Sequence, residues 1–347
     1  MTTMKAALYS GIEQIAIHEV ERQPPPPGHL VMAMRQIGIC GSDLHTYFGH
    51  WPYRPGLAHG HETCGIVAEV GEGVTYFAVG DHVVVEVFSH CGECVYCRTG
   101  NYNHCVQYKL ISHNMHMGFA EYTTVHQSGV FKLPAGMSHE QGALVEPLAV
   151  GVRALAQARA TYQDRVLVIG GGTIGLLCLA VAKANGVKEA MITVKYPQQA
   201  RIARELGADQ VIDITQSDVR EFVRQHTGGM GVDAVVETVG SAQAFDNALD
   251  IVRRRGTVVL VGGYYKPLEV NIGRIVITEA IVTGSNCYGY SGLQSDFQAA
   301  IDLIGSGKVD PTKIVTHRFA LDEITQAFAV AADKESGSVK VHVVNPA

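Results

Sequence analysis

From about Tyr162 the chain alternates between short apolar runs and helical stretches. The series reads RVLVIG, GGTIGLLCLAVAKANG, EAMITV, QQARIAREL, DQVIDI, SDVREFVRQHT, VDAVVETVG, SAQAFDNALDIVRRRG, TVVLVGG and AIVTGSN. Runs that are apolar throughout, instead of at every second position, belong to strands buried on both faces. Alternation of such strands with helices implies a parallel sheet covered on either side, so a doubly wound α/β domain is expected here. One of its helices should run from a cap at Ser241 to a stop at Gly256.

Gly170, Gly172 and Gly175 spell G-x-G-x-x-G directly after the first of these strands and at the start of a helix. In that setting the first glycine allows a tight turn and the second lets the backbone approach a pyrophosphate. The third lets helix and strand pack closely, and the helix N-terminus offers free N–H groups to the anion. The next strand should end in an Asp or Glu if the cofactor is NAD, because that carboxylate accepts the ribose hydroxyls. The sequence there reads Thr193, Val194, Lys195, Tyr196, Pro197, with no acid. A cation in that place suits a 2′-phosphate and Tyr196 can stack on adenine, so NADP is expected over NAD.

The first 150 residues have a different rhythm. Short β-like runs (KAALYS, QIAIHEV, HLVMAMRQ, GIVAEV, DHVVVEVF) alternate with turn residues, and four prolines, Pro24 to Pro27, break the series. A chain of 347 residues exceeds the usual limit of one core, so two domains are expected. Net charge is −6 and no basic stripe carries interleaved aromatics, which argues against a nucleic-acid or membrane-surface partner. The longest uncharged stretch, Val166 to Ala182, is interrupted by glycines and falls short of the ~20 residues that span a bilayer. The N-terminal MTTMKAALYSGIEQ lacks the apolar core of a secretory signal, so a cytoplasmic protein is expected.

Four of the eight cysteines fall in CGECVYCRTGNYNHC, as Cys91, Cys94, Cys97 and Cys105. The spacing suits a closed tetrahedral metal site, a disulfide framework or an iron–sulfur cluster; a reducing compartment favours metal. Further metal-ligand types occur in ICGSDLH (Cys40, Ser42, Asp43, His45), HGHET (His59, His61, Glu62) and VEPLAV (Glu146). Taken singly, each has an ordinary alternative: Cys40 a buried thiol, Ser42 or Asp43 a helix cap, His61 a core histidine, Glu146 a surface acid.

In their order along the chain, CGSDLH, GHETCGIVAEVG, the four-cysteine spacing, EPLAVG and VLVIGGGTIGLL together resemble the zinc-dependent medium-chain alcohol and polyol dehydrogenases. The style is that of the sorbitol, threonine and sugar-acid branch, and the likeness covers essentially the whole chain. It implies a GroES-like β-rich catalytic domain (1–152, completed by 291–347) and a Rossmann dinucleotide-binding domain (153–290). It further implies one catalytic and one structural zinc per subunit. Cys40, His61 and Glu146 would hold the catalytic ion, with Glu62 able to exchange onto it and water as an alternative to Glu146. Cys91, Cys94, Cys97 and Cys105 would hold the structural ion. Ser42 and His45 match proton-relay positions. Thr173, Ile174, Thr238, Val239 and Ser285 match positions that line the cofactor, and Lys340 a basic residue near its phosphates. Homodimers or homotetramers acting on a small-molecule alcohol are usual in the family.

The missing acid is one departure from the family pattern. The aromatic-rich TYFGHWPYRPGLAHG between the first two metal segments is another, and it leaves the substrate open among secondary alcohols, polyols, sugar acids and amino alcohols. Substrate contacts are expected from residues 45 to 60, from around His116, and near Tyr288 and Tyr290. A zinc-free quinone or enone reductase of the same superfamily lacks such a ligand set. A zinc-ribbon binding protein is disfavoured by the acidic charge and the complete dinucleotide motif.

Overall fold

The computed structural model describes residues 2–51, 60–107, 109–110 and 118–345. The chain divides into two compact units, residues 1–146 with 315–347, and residues 147–314.

In the first unit a seven-stranded sheet runs in the order Val315–Ala320, Lys340–Val344, His29–Gly38, Glu62–Val70, His82–Val85, Val130–Lys132, with Tyr122–His126 also paired to His29–Gly38. Strand His29–Gly38 is buried along almost its whole length, as its apolar sequence LVMAM demands. Its Leu30, Met32, Met34 and Ile37 share a core with Val67, Val83, Phe119, Phe328, Val341 and Val343. The last strand, Lys340–Val344, pairs antiparallel with it, His342 opposite Gly38, and the Ile39 N–H donates to Val341 O at 3.0 Å. A segment 300 residues away in sequence is thereby set beneath Cys40.

The second unit holds six parallel strands in the order Gln210–Asp213, Glu189–Val194, Arg165–Ile169, Val232–Glu237, Val252–Leu260, Ile281–Gly284. The order reverses between Arg165–Ile169 and Val232–Glu237, and ligands of such sheets bind outside the strand ends at that reversal. Helix Thr173–Ala184, apolar on every side, is buried from Gly175 to Ala182. Helix Val219–His226 buries only Val219 and Val223, four residues apart on one face.

Two expectations about boundaries change. The second unit runs from Pro147 to Ile314, not from 153 to 290. Helix Asp296–Gly305 stays with it because the Asp296 N–H donates to Gly289 O at 2.8 Å and Phe297 packs its ring 5.3 Å from Tyr288. The helix that starts at Ser241 stops at Ile251, five residues short of Gly256. Val252 already pairs with Val232 in the sheet, a bulge follows, and pairing resumes at Thr257 with Ala234. Arg253 is drawn into the sheet by its ion pair with Asp233 at 2.6 Å.

Candidate active site and cofactor cleft

Cys40 is the N-cap of helix Gly41–Tyr47, its N–H held by the Asp43 carboxylate at 2.8 Å. Asp43, weighed from sequence only as a helix cap, also orients His61, its Oδ1 lying 3.6 Å from Nδ1. The other ring nitrogen, Nε2, lies 3.5 Å from Ser42 Oγ. Burial raises the Asp43 pKa to about 6, against the pull of His61. Burial also disfavours a charged His61, yet Asp43, the Cys40 thiol and Glu146 outweigh it and hold the imidazole well above its ordinary pKa. Such a concentration of acidic groups around one imidazole suits a cation in place of the ring proton.

Glu62 starts the strand beside His61, opposite Gly38, where any Cβ would collide with its carboxylate. Both Glu62 oxygens accept from Lys340 Nζ, at 2.7 and 2.6 Å, and the same ammonium donates to Ile39 O at 2.9 Å. Glu62 and Lys340 are 0% and 1% exposed, so this is a fully buried ion pair. Lys340, expected near phosphates, therefore has its three donors taken up inside the first unit. Burial opposes its charge, and Glu62 and Cys40 restore it.

Among the described residues, Cys40, His61 and Glu62 bring one ligand atom each within 4.8 Å of one another. A thiolate, an imidazole and a carboxylate with a fourth position left open is the donor set of a catalytic zinc. Glu146, buried in the first turn of helix Val145–Ala158, reaches His61 through its charge and stands outside that trio. His45 lies three residues after Ser42 on the same helix, its Nδ1 3.2 Å from His50 Nδ1 and its ring stacked on Trp51 at 5.6 Å. Residues 52–59 and His116 lie outside the described residues. Tyr288, expected at the substrate, is core, 0% exposed against Phe297, while Tyr290 is half-exposed.

Cys91, Cys94, Cys97 and Cys105 form a second set. Their sulfurs lie 3.5 Å apart for Cys94–Cys97 and Cys91–Cys105, and 3.8 Å apart for Cys91–Cys97. Four sulfurs ~2.3 Å from a central zinc would sit ~3.7 Å from one another. All four are free thiols, and the N–H groups of Cys91, Cys94 and Gln107 point at sulfur. Backbone donors lower the Cys94 pKa to about 6, favouring the thiolate a metal takes.

In the second unit a cavity of about 350 Å³ opens at the reversal of strand order, lined by Gly170, Gly171, Gly172, Lys195, Gln199 and Thr238 among others. Gly170 adopts φ 108°. A side chain at Gly175 would strike Gly170 O, whereas Gly172 faces open space, so the loop is close-packed behind and accessible in front. Thr193 Oγ1 accepts from Gly170 N at 2.9 Å and Thr238 Oγ1 donates to Ile169 O at 2.8 Å, which fixes the loop. Thr173 and Ile174 open the helix, Val239 follows Thr238, and the buried Ser285 hydroxyl after the last strand has no hydrogen-bond partner among the described residues. Lys195 is exposed at the mouth beside Tyr196. Gln199, not singled out in the sequence, was findable as the residue two past Pro197 at the third helical position, where a glutamine side chain reaches back to the N-cap.

Residues 26–135 match the alcohol dehydrogenase GroES-like domain and residues 173–306 the zinc-binding dehydrogenase family. Sorbitol dehydrogenase of Halalkalibacterium halodurans is 36% identical over 336 residues, 95% of this chain and 96% of that one. The chain belongs to the zinc-dependent medium-chain alcohol and polyol dehydrogenases. The structure of 2R,3R-butanediol dehydrogenase from Bacillus subtilis superposes on this dehydrogenase with a TM-score of 0.88 at 34% identity, covering 99% of this chain and 100% of that one. A zinc-binding dehydrogenase of Sinorhizobium meliloti bound to NADP superposes with a TM-score of 0.90 at 29% identity, covering 99% and 100%. The dehydrogenase is accordingly an oxidoreductase that moves hydride between an alcohol and NAD(P). No helix among its described residues is long and apolar enough to cross a membrane.

Proposed function

We propose that this dehydrogenase oxidises a secondary carbinol of a polyol and prefers NADP as hydride acceptor. The observation that carries the cofactor preference is the lining of the cavity at the glycine loop, which includes the cation Lys195 and no carboxylate. The polyol reading is supported by relatives named for sorbitol and butanediol. Free thiols in the four-cysteine set suit a reducing, cytoplasmic setting.

Cys40 and His61, with Glu62 or Glu146 as the carboxylate, are the residues to hold the catalytic zinc, and the four-cysteine set has no open position for substrate. Bound zinc would supply a Lewis acid that makes a substrate hydroxyl acidic near neutral pH, and bound NADP would supply the C4 that receives hydride. Ser42, beside His61, accepts the hydroxyl proton and hands it to His45, one turn further along the helix. Burial and the neighbouring His50 lower the His45 pKa, which favours the neutral ring that a proton acceptor needs. From there His50, 3.2 Å away and exposed, leads the proton to solvent.

The test is steady-state kinetics with NADP and NAD against secondary alcohols, polyols, sugar acids and threonine. The expected result is the highest kcat/KM for a polyol with NADP; a preference for NAD, or for a substrate without a second hydroxyl, overturns the corresponding half.

A further inference from the structure

The turn that joins strand Glu189–Val194 to helix Pro197–Glu205 presents two consecutive backbone N–H groups, those of Lys195 and Tyr196. Both donate to one atom, Gln199 Oε1, at 3.0 and 3.3 Å. Because both partners are donors, the amide can sit only with its oxygen towards the turn. A carbonyl oxygen has two lone pairs, so this acceptor is fully used. Gln199 is 9% exposed, and it fits because position 171 is glycine: a Cβ there would lie 3.0 Å from Oε1 and 3.1 Å from the Gln199 Cβ. The side chain is thus bonded to the turn and packed closely against the glycine loop.

The consequence is chemical. An unphosphorylated ribose presents hydroxyls at this turn and needs an acceptor, but the available acceptor is occupied. What Gln199 and Lys195 still offer to the cavity they line is an NH2 group and an ammonium, donors both. Across the cavity Asn247 Oδ1 is likewise occupied, by Arg220 Nε at 2.9 Å and Gln243 Nε2 at 3.0 Å. A pocket end stocked with donors favours an anion over a neutral hydroxyl.

We propose that Gln199 is a specificity-determining residue for the cofactor: its carbonyl locks the turn that presents Lys195, and its amide NH2 donates to the phosphate on the adenosine ribose. This rests on the NADP preference proposed above and names a second residue responsible for it.

The experiment measures dissociation constants of NADPH, NADH, 2′,5′-ADP and 5′-AMP for the zinc-loaded enzyme and for Gln199→Glu. The variant keeps an oxygen for the two N–H groups but exchanges the NH2 donor for a carboxylate. Removing one charge-assisted hydrogen bond and adding repulsion is expected to cut the NADPH-over-NADH preference by about 30-fold or more. The 2′,5′-ADP to 5′-AMP ratio should fall in parallel. A residue that only braces the turn would weaken all four ligands alike, so an unchanged ratio overturns the inference while leaving the NADP preference standing. A wild-type enzyme that holds NADH as tightly as NADPH overturns both. Should Gln199→Glu fail to fold, Gln199→Ala reads the same ratios: a fall supports the inference and an unchanged ratio overturns it.

Discussion

Glu86 sits at the end of strand His82–Val85 with its side chain 3% exposed, and its Oε2 accepts from Tyr102 Oη at 2.7 Å. Tyr102 lies between Cys97 and Cys105, so this hydrogen bond fastens the four-cysteine segment to the sheet. Burial pushes the Glu86 pKa up to about 8 from an ordinary 4.5, with Tyr102 pulling the other way. A carboxyl whose folded pKa lies above its unfolded one contributes stability below pH 4.5 that is lost as pH rises to about 8, because only the unfolded chain can release the proton cheaply. Wild type is expected to lose on the order of 4 kcal/mol of stability relative to Glu86→Gln between pH 4.5 and 8. Urea denaturation of both proteins across that range checks it, and parallel pH profiles refute it. Nothing in the run VVVEV marks Glu86 as neutral, since its protonation depends on what folds around it. The closeness of Cys40 and His61 was legible because ligand types gain meaning from order along the chain. The Lys340–Glu62 pair was not, because it joins residues 278 apart whose charges say nothing of each other until the last strand is placed.

Between strand Arg165–Ile169 and helix Thr173–Ala184 the glycine loop shows how far an element can be read from its letters. The first and third glycines do what the motif requires: Gly170 takes a left-handed backbone and Gly175 faces Gly170 O. A methyl at position 175 has to displace the helix from the strand. Gly175→Ala is therefore expected to cost about 2 kcal/mol by overpacking and to weaken NADPH and NADH equally. Chemical denaturation and cofactor titration check this, and a selective loss of one cofactor contradicts the packing account. Helix Ala242–Ile251 was less legible. Arginines are good helix formers, so RRRG reads as a last turn, yet Val252 is buried in the sheet, paired with Val232. Where propensity and sheet pairing compete, only the pairing partner settles the boundary, and that partner lies 20 residues upstream.

At the level of the whole molecule the two units differ in how the chain builds them. Residues 147–314 form one uninterrupted segment with all six parallel strands and a core of their own, including Leu167, Met191, Val235 and Val258. The first unit is closed only when residues 315–347 return, and they supply Phe328, Val341 and Val343 to its core and Lys340 to the buried carboxylate beside His61. Units with an independent core and no crossing strand are able to fold alone. A fragment of residues 145–314 is therefore expected to fold cooperatively and to bind NADPH within about tenfold of the full chain. A chain ended at Gly337 lacks strand Lys340–Val344, which exposes one flank of strand His29–Gly38 and leaves Glu62 without its cation. Removing one partner of a buried pair costs about 3–5 kcal/mol before the lost strand pairing is added, enough to unfold a unit of ordinary stability. The truncated chain should keep cofactor binding and lose the zinc proposed for Cys40 and His61, read by metal analysis and NADPH titration. If the truncated chain retains two zinc ions per subunit, or the fragment stays unfolded, the two units do not have the independence that their strand connectivity gives them.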